Sequence, residues 1–253
     1  MKKIIRMILL ILLFAAGSAS ASSLPISGKA KVSFVQGTVT CTLDNEQKEL
    51  AVDDLLAAPA KLSLTDEARL ELQLSDGSIL RFSGGTECEL SSAEATEEKR
   101  NVQVDVALGD CWASVQKFLG QKDTFEVNSP TAVAGVAGTR YRLHVDEIQA
   151  SSYLVYDGKV KVGYRAVSPE YSSQKGFAAV NEVSGPSEVS GPSEVTMREW
   201  VLIVSQGYRF DVSPDGAFYK PVKFDRQEDL ESSWVKWNMD RDQKTGLIES
   251  NDE

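Results

Sequence analysis

Residues 30–165 consist of short stretches in which apolar and polar side chains alternate, separated by turn signals. Alternation with a period of two is typical of a β-strand with one buried face. Leucines alternate with polar residues over 70–74, and another apolar stretch at 79–82 follows Asp76-Gly77. Asp-Gly between two such stretches is typical of a hairpin turn, because glycine accepts the positive φ that tight turns require. Short strands at these regular intervals predict an all-β fold, arranged as a sandwich, a roll or a solenoid.

Two further glycine-containing pairs are interpreted as structural turns. Asp157-Gly158 separates two alternating stretches in the way that Asp76-Gly77 does. Gly138-Thr139 follows Gly135 and is similar to part of a phosphate-binding loop, but such a loop requires Lys after the second Gly and a helix beyond it. Residues 140–143 instead alternate as a strand does. We therefore predict bends at both pairs and no cofactor.

The N-terminal segment predicts export. A positively charged start, an apolar core and a small-residue Ala-x-Ala end follow one another at residues 2–6, 7–16 and 19–21. The core has about ten residues, whereas a helix that spans a membrane needs about 20. We expect cleavage after Ala21, which makes residues 1–21 a signal peptide and leaves a soluble chain in the periplasm or otherwise exported. No later stretch is long and apolar enough to predict a transmembrane segment.

The balance of charges excludes one class of partner. The formal net charge of the chain is −10, and removal of the three basic residues of the signal peptide makes it −13. Nucleic acids and anionic lipids attract clusters of Lys and Arg. We therefore expect no nucleic-acid partner.

Three cysteines remain after cleavage, namely Cys41, Cys88 and Cys111. An oxidising compartment permits one disulfide, for which Cys88 and Cys111 are the candidate pair, and leaves one thiol over. Each cysteine lies in an apolar alternation, so three buried thiols is the simpler interpretation. His144 is the only histidine, and the cysteines lack the close spacing of zinc sites, so no metal site is predicted.

The sequence offers no recognisable catalytic residues. His144 lies in a strand-like alternation, and no Ser or Cys stands in a nucleophile motif that it could serve. Most acidic residues fall in runs such as 94–99, which are typical of a solvated loop. We therefore predict that the protein is not an enzyme.

Seven segments follow one another in a characteristic order along the predicted strands. They are Gly37-Thr38-Val39, residues 70–74, Asp76-Gly77-Ser78, Gly109-Asp110-Cys111-Trp112, residues 125–130, Gly138-Thr139 and Asp157-Gly158-Lys159-Val160. This order resembles the FecR domain family. In that family an opening Gly-Thr/Val strand and a leucine-rich strand lead to Asp-Gly-Ser, and a Gly-x-x-Trp strand, a Phe-x-Val-x-x-Pro segment, a Gly-Thr bend and Asp-Gly-x-Val follow.

The resemblance implies a FecR-like β domain over residues 22–166 that acts outside the cytoplasm through protein contacts in signalling. FecR-type transducers carry a cytoplasmic anti-sigma segment and a transmembrane helix before this domain, and nothing of that kind precedes residue 22. Direct regulation of a sigma factor is therefore not expected.

A repeated segment follows the predicted β domain. Glu-Val-Ser-Gly-Pro-Ser occurs at 182–187 and again at 188–193. Two copies of six residues are too few for a solenoid, and Pro and Gly disfavour regular strand pairing. We predict that residues 167–195 form a linker or an extended arm. The alternative is a repeated ligand for a partner, since extended segments that contain Pro serve as recognition motifs.

The remaining residues predict a short α/β appendage, helix–strand–helix, over 196–241. Thr196 and Glu199 match a capping box, which predicts a helix over 197–206. Gly207 suits the end of this helix, and alternation over 208–212 predicts a strand.

Residues 230–241 predict a last helix, because Leu230, Trp234 and Trp237 recur at helical spacing. Such a stripe is most often packed against a core, and exposed tryptophans would instead form a binding platform. An acidic, disordered tail is expected over residues 242–253.

Three hypotheses for function follow. The first is a non-catalytic module that binds another envelope protein in signalling or assembly. The alternative is a protein that binds peptidoglycan or another carbohydrate through exposed aromatic residues, and a periplasmic hydrolase is a distant third. The candidate partner-binding residues are Trp112, Trp234 and Trp237.

Overall fold

The computed structural model describes residues 24–165 and 200–245. The predicted signal peptide, the repeat segment, the capping-box residues Thr196 and Glu199, and residues 246–253 lie outside this part of the chain. The strands are β1 (Lys29–Gln36), β2 (Val39–Leu43), β3 (Glu46–Glu49), β4 (Leu55–Ala57), β5 (Ala60–Leu64), β6 (Arg69–Gln73), β7 (Ile79–Phe82), β8 (Glu87–Ala95), β9 (Lys99–Ser114), β10 (Lys122–Asn128), β11 (Ala132–Val136), β12 (Arg140–Val145), β13 (Ser151–Asp157), β14 (Lys159–Tyr164), β15 (Trp200–Ser205), β16 (Tyr208–Val212) and β17 (Val222–Lys223). The helices are α1 (Arg226–Asp229) and α2 (Ser233–Lys244).

The strands form two sheets that share β9. Sheet A has the order β4-β1-β6-β7-β9-β12-β13-β16-β17. Sheet B has the order β3-β2-β5-β8-β9-β10-β11-β14-β15. Every pairing is antiparallel except that of β9 with β10. The prediction of an all-β fold is confirmed, and the arrangement is a sandwich of two sheets rather than a solenoid.

Strand β9 passes from one sheet into the other at Gly109. Its first part, up to Leu108, pairs with β8 in sheet B, and its last part, from Gly109, pairs with β12 in sheet A. Gly109 has a φ of 94°, and a Cβ atom there would lie 2.4 Å from Thr86 Oγ1. Both the backbone conformation and the close approach therefore require glycine at this crossing.

The main hydrophobic core lies between the two sheets. Alternate residues of β9 in sheet B face it, namely Val102, Val104 and Val106, and Cys111 and Ala113 face it from sheet A. The same alternation buries Leu70 and Leu72 of β6. In β6 and β9, the period of two in the sequence thus places alternate side chains in the main core.

The predicted helix over 197–206 is wrong, because the described part of it, Trp200–Ser205, is strand β15. This strand pairs antiparallel with β14, and its side chains alternate between the buried Val204 and the exposed Ile203. β-Branched residues favour a pleated strand over a helix, since a helix restricts their side-chain rotamers. Gly207, with a φ of 81°, lies in the turn to β16 rather than at the end of a helix.

The C-terminal segment is therefore not a helix–strand–helix appendage. β15 and β16 add to sheets B and A beside β14 and β13, which places residues 200–212 within the sandwich. The helical part comprises α1, which is capped by the Asp225 side chain, and α2. Neither described helix is long and apolar enough to cross a membrane.

The bounds of the last helix also differ from the prediction of 230–241. Leu230 is the C-cap of α1, and α2 begins only after Ser232 and continues to Lys244. Asp242, which was assigned to a disordered acidic tail, is a fully buried residue of α2. The tail prediction is wrong for residues 242–245, because they form the end and the C-cap of α2, and Asp242 pairs with Arg81 of the β-sandwich.

Candidate functional site

Helix α2 covers the outer face of sheet A. Cys111 and Ala113 of β9 point into the main core, so the alternate residue Trp112 points out of the sandwich toward the helix. A second hydrophobic cluster forms there, and it consists of Trp112, Leu154, Tyr156, Trp234 and Val235. Sheet A is thus buried on both faces where α2 lies.

A buried carboxylate lies at the centre of this contact. Asp242 of α2 accepts hydrogen bonds from Arg81 Nη1 at 2.5 Å, from Trp112 Nε1 at 3.1 Å and from Ser114 Oγ at 3.0 Å. The side chains of Arg81 and Asp242 have no exposed surface. A buried charge is stable only when it is paired and hydrogen-bonded, and this arrangement meets both conditions.

A second buried carboxylate, Glu71 of β6, extends the network. It accepts hydrogen bonds from Arg81 Nε at 2.6 Å, from Arg241 Nε at 2.6 Å and Nη2 at 2.7 Å, and from Ser33 Oγ at 2.7 Å. Burial by itself raises the pKa of Glu71, but the hydrogen bonds and charges of Arg241 and Arg81 outweigh it and lower the pKa to about 2. Glu71 is therefore a carboxylate at neutral pH and has no proton to donate as a general acid, and its two oxygens already accept hydrogen bonds from Ser33, Arg81 and Arg241.

Arginines also surround Trp237 of α2. The guanidinium carbons of Arg69, Arg81 and Arg241 lie 5.1, 5.9 and 5.2 Å from its ring centroid. On the helix, Trp234 stacks on it with a centroid distance of 5.3 Å. Cations at these distances are attracted to the face of an indole ring. Trp237 therefore links α2 to sheet A by both charge and packing.

Two of the three tryptophans predicted as a binding platform are buried in the structure. Trp112 has no exposed surface and Trp234 is 7% exposed, while Trp237 is partly buried between arginines. The two buried rings are part of the core and are not available to a sugar or a protein. Trp234 and Trp237 of the predicted stripe pack against the β-sandwich, whereas Leu230 is exposed at the end of α1.

The predicted turns meet at one end of the sandwich. Ser78 accepts a hydrogen bond from the Gln116 amide at 3.0 Å, which ties the Asp76-Gly77 turn to the loop after β9. Thr139 Oγ1 donates to the Lys159 carbonyl at 3.0 Å, which ties the Gly138-Thr139 bend to the Asp157-Gly158 turn. Gly77, Gly138 and Gly158 all have positive φ. Glycine is therefore required at these turns by the backbone conformation.

An open cavity of about 430 Å³ lies between these loops. Its lining comprises Ser114, Val115, Gln116, Lys117, Gly138, Thr139, Arg140 and Asp157. Arg140 lies between two carboxylates without a close contact to either, at 3.9 Å from Asp242 and 4.0 Å from Asp157. The lining holds no histidine or cysteine, and its one hydroxyl-bearing turn residue, Thr139, is engaged with the backbone.

His144 contacts the carboxylate of Asp110. Its Nδ1 lies 3.1 Å from Asp110, which also accepts a hydrogen bond from Arg142 Nε at 2.6 Å. Burial raises the pKa of Asp110, but the hydrogen bond from His144 and the charge of Arg142 outweigh it and keep the pKa below the ordinary value. Arg142 also lies 3.6 Å from Asp229 of α1, so this group holds the helical segment to sheet A.

All three cysteines are free, buried thiols, so the candidate disulfide between Cys88 and Cys111 is not formed. Cys88 belongs to β8 in sheet B and Cys111 to the part of β9 in sheet A, and both contribute to the core between the sheets. Burial raises the pKa of each thiol, which disfavours the thiolate that disulfide exchange requires. The structure thus agrees with the simpler interpretation of the three cysteines as buried thiols.

Sequence reasoning missed the charged residues that hold α2 in place. Glu71 stands between Leu70 and Leu72, and Arg81 between Leu80 and Phe82, so each occupies the outward position of an alternating strand. That position is normally solvated, and nothing local indicates that a helix covers it whose contacts lie 161 and 170 residues further along the chain. Among the described residues, no group of three or more His, Cys, Asp or Glu side chains could hold a metal ion.

One comparison with known proteins matches a family, the FecR family, over part of the chain. Residues 60–161 match the family model described as FecR protein. Two crystal structures of a protein proposed to be an anti-sigma factor from Parabacteroides distasonis align with 16% identity and a TM-score of 0.46. The alignment covers 69% of this chain, and the chain spans 63% and 64% of the length of the two solved chains. No curated protein matches the sequence.

Proposed function

We propose that this chain, which carries a FecR domain at residues 60–161, is a non-catalytic binding module that works outside the cytoplasm. Its partner is another protein of the cell envelope, and the contact serves signalling or assembly. The FecR family supports a role in signalling through protein contacts, and the N-terminal pattern of charge, apolar core and Ala-x-Ala supports export.

One observation carries the proposal. The ionisable residues that cluster on sheet A serve to attach α2. Glu71, Arg81 and Asp242 are buried, and Arg81 donates hydrogen bonds to both carboxylates. A general acid or base must reach its substrate, and these groups are closed off from it. The cluster therefore supports a rigid scaffold rather than a reacting centre.

The surface of the scaffold supplies apolar contacts for a protein partner. Leu119 in the loop before β10 is 96% exposed, Ile148 in the β12–β13 turn is 69% exposed, and Tyr219 is also exposed. These residues lie in loops at the ends of strands, which are the usual places for binding residues on a rigid β scaffold.

The test is site-specific photo-crosslinking in cells. A photoreactive amino acid is placed at Leu119, Ile148 or Tyr219 in turn, and each adduct is identified by mass spectrometry. Val52 is the control position, because it is also exposed but lies beside the edge strand β4, in the loop between β3 and β4. We expect one envelope protein to be captured from Ile148 and Tyr219, which line the same cavity, and not from Val52, and we expect the purified pair to bind saturably.

A parallel sedimentation experiment with purified peptidoglycan addresses the carbohydrate alternative. Retention of the protein on peptidoglycan, together with the absence of any specific protein adduct, would contradict the proposal. Hydrolysis of peptidoglycan by the purified protein would contradict its non-catalytic character.

A further inference from the structure

Arg140, the first residue of β12, has hydrogen-bond donors without acceptors. Its Nε and Nη1 atoms are buried, and neither donates a hydrogen bond to any residue that the structure describes. The closest carboxylates, those of Asp242 and Asp157, lie 3.9 and 4.0 Å from the guanidinium, which is too far for a hydrogen bond. Because buried polar groups are nearly always hydrogen-bonded, these nitrogens are available to an acceptor from outside the chain.

Neither carboxylate near Arg140 satisfies it. Asp242 already accepts hydrogen bonds from three side chains of sheet A, so its oxygens are occupied. The side chain of Asp157 is 61% exposed, and water and salt weaken the attraction of such a charge for a neighbour. Arg140 therefore keeps both a positive charge and free donors at the edge of a cavity.

This cavity, of about 430 Å³, differs in charge from the others. Its lining carries two cations, Lys117 and Arg140, and one carboxylate, Asp157, which gives a net charge of +1. Four other cavities formed by the described residues have linings that are neutral or negative. The chain as a whole has a formal net charge of −10. An excess of positive charge at this one cavity is therefore not a consequence of the overall composition.

The backbone holds the two cations beside one another. Val115 and Thr139 exchange two hydrogen bonds, of 2.9 and 3.2 Å, which join the loop that carries Lys117 to the bend before Arg140. A Cβ atom at Gly138 would lie 2.4 Å from Lys117 Cγ, so glycine allows the lysine stem to pack against the bend. Lys117 is exposed and forms no ion pair with another described residue. Both cations are therefore positioned by the fold and available to an anion.

We propose that this cavity binds a small soluble ligand through one carboxylate, which Arg140 and Lys117 hold between them. A guanidinium donates two parallel hydrogen bonds to a carboxylate, and an ammonium adds a point charge. No hydrogen bond fixes the Arg140 guanidinium, so rotation of its side chain turns Nε and Nη1 toward the ligand. The volume lies within the range of about 300–1,000 Å³ that is usual for small-molecule sites.

The charge of the lining favours a carboxylate over a phosphate. A net charge of +1 is balanced by one carboxylate. A phosphate monoester carries about 1.5 to 2 negative charges at neutral pH, and the excess would face Asp157. The ligand class is therefore a monocarboxylate with an uncharged body.

The site is separate from the surface proposed for the envelope partner. Arg140 begins β12, whereas Ile148 follows the end of the same strand at Val145. The two sites thus lie at opposite ends of one strand. Binding of the carboxylate and capture of the protein partner are therefore tested independently.

Titration of the isotope-labelled full chain with N-acetylalanine, followed by NMR at constant ionic strength, tests the proposal. N-acetylalaninamide is the matched control ligand, because it has nearly the same shape without the charge. We expect N-acetylalanine to shift the amide signals of residues 115–117 and 138–140 saturably, and N-acetylalaninamide to leave them in place. Absence of saturable shifts, or equal binding of the two compounds, overturns the proposal.

Four variants assign the binding to the two cations. Lys117→Gln should raise the Kd by about threefold, and Arg140→Lys by about tenfold because lysine lacks the two-pronged donor. Asp157→Asn should lower the Kd by about threefold, since it removes the competing carboxylate and Asn-Gly keeps the turn. Lys61→Gln is the control, because it removes the same charge from an exposed lysine of β5 and should leave the Kd unchanged.

Melting temperatures show which variants are folded. Lys117 and Asp157 are exposed, so their variants test the site even where Arg140→Lys is unstable. A Kd that neither Lys117→Gln nor Asp157→Asn changes overturns the proposal. So does a Kd that Lys61→Gln changes as much as Lys117→Gln does, because the attraction would then be a property of the whole surface.

Discussion

Arg81 of β7 donates a hydrogen bond of 2.5 Å to Asp242 of α2, and neither side chain has exposed surface. The two residues are 161 positions apart in the sequence. Arg81 also contacts Glu71, so one guanidinium joins a strand of the β-sandwich, its neighbour and the last described helix. Removal of one partner of a buried ion pair destabilises the folded state, because the other charge stays buried without it. We therefore expect the attachment of α2 to be sensitive to substitution of either residue.

Asp242→Ala is expected to destabilise the protein by about 3 to 5 kcal/mol, because it leaves the Arg81 guanidinium buried with one carboxylate fewer. Urea unfolding followed by circular dichroism measures the change. Asp240→Ala is the control, since Asp240 is an exposed residue of the same helix and its loss should matter by less than about 0.5 kcal/mol. Equal effects of the two substitutions would show that the ion pair does not hold α2.

Trp234→Ala is expected to cost about 3 to 5 kcal/mol, because it removes a large buried ring from the second hydrophobic cluster. Lys236→Ala, at an exposed position on the same helix, is the control and should leave the unfolding free energy nearly unchanged. Thermal unfolding of both variants compares them. If Trp234→Ala is tolerated as well as Lys236→Ala, the helix does not contribute to folding of the sandwich.

The stability of the protein should fall as the pH drops from about 4.5 to about 2, partly through Glu71. The pKa of this carboxyl is lowered from 4.5 to about 2 in the folded chain. Between these values the unfolded chain binds more protons, so acid favours unfolding. The free energy of unfolding of the parent and of Glu71→Gln, measured from pH 6 to pH 3, should differ most at pH 6. A difference that stays constant over this range would show that the ionisation of Glu71 is not linked to folding.

Gly77→Val is expected to destabilise the fold by about 1 to 3 kcal/mol, because a β-branched residue is strained at positive φ. Gly77 has a φ of 81°, and only Gln116 lies within 4 Å of a Cβ built there, so backbone strain rather than a clash causes the loss. Gly77→Asn is the control, since asparagine tolerates the left-handed region better. Melting temperatures separate the two variants, and equal losses would argue against strain as the cause.

The strands and turns between residues 30 and 165 could be predicted because their signals are local. Alternation and Asp-Gly pairs depend on neighbouring residues, and the structure places strands on both sides of Gly77 and Gly158. β15 was predicted as a helix because Thr196 and Glu199 matched a capping pattern. Pairing with β14 determines its structure instead, and that pairing joins segments that the sequence places far apart.

The site on sheet A could not be predicted from local patterns. Glu71, Arg81 and Asp242 each look like an ordinary surface charge in sequence, because their burial depends on contacts across more than 150 residues. Trp112 was named as a candidate for an exposed platform for the same reason. Its outward position in β9 would be solvated if α2 did not lie over it.

The attachment of α2 to sheet A has a consequence for the order of events during synthesis. Ribosomes release the chain from its N-terminus, so Arg81 and Trp112 emerge long before their common partner Asp242. A chain that ends before Ser233 lacks the helix that covers them, so the Trp112 ring is exposed to solvent and Arg81 keeps only one of its two carboxylate partners, Glu71. We therefore expect fragments that end before Ser233 to be degraded faster than chains synthesised through Asp242.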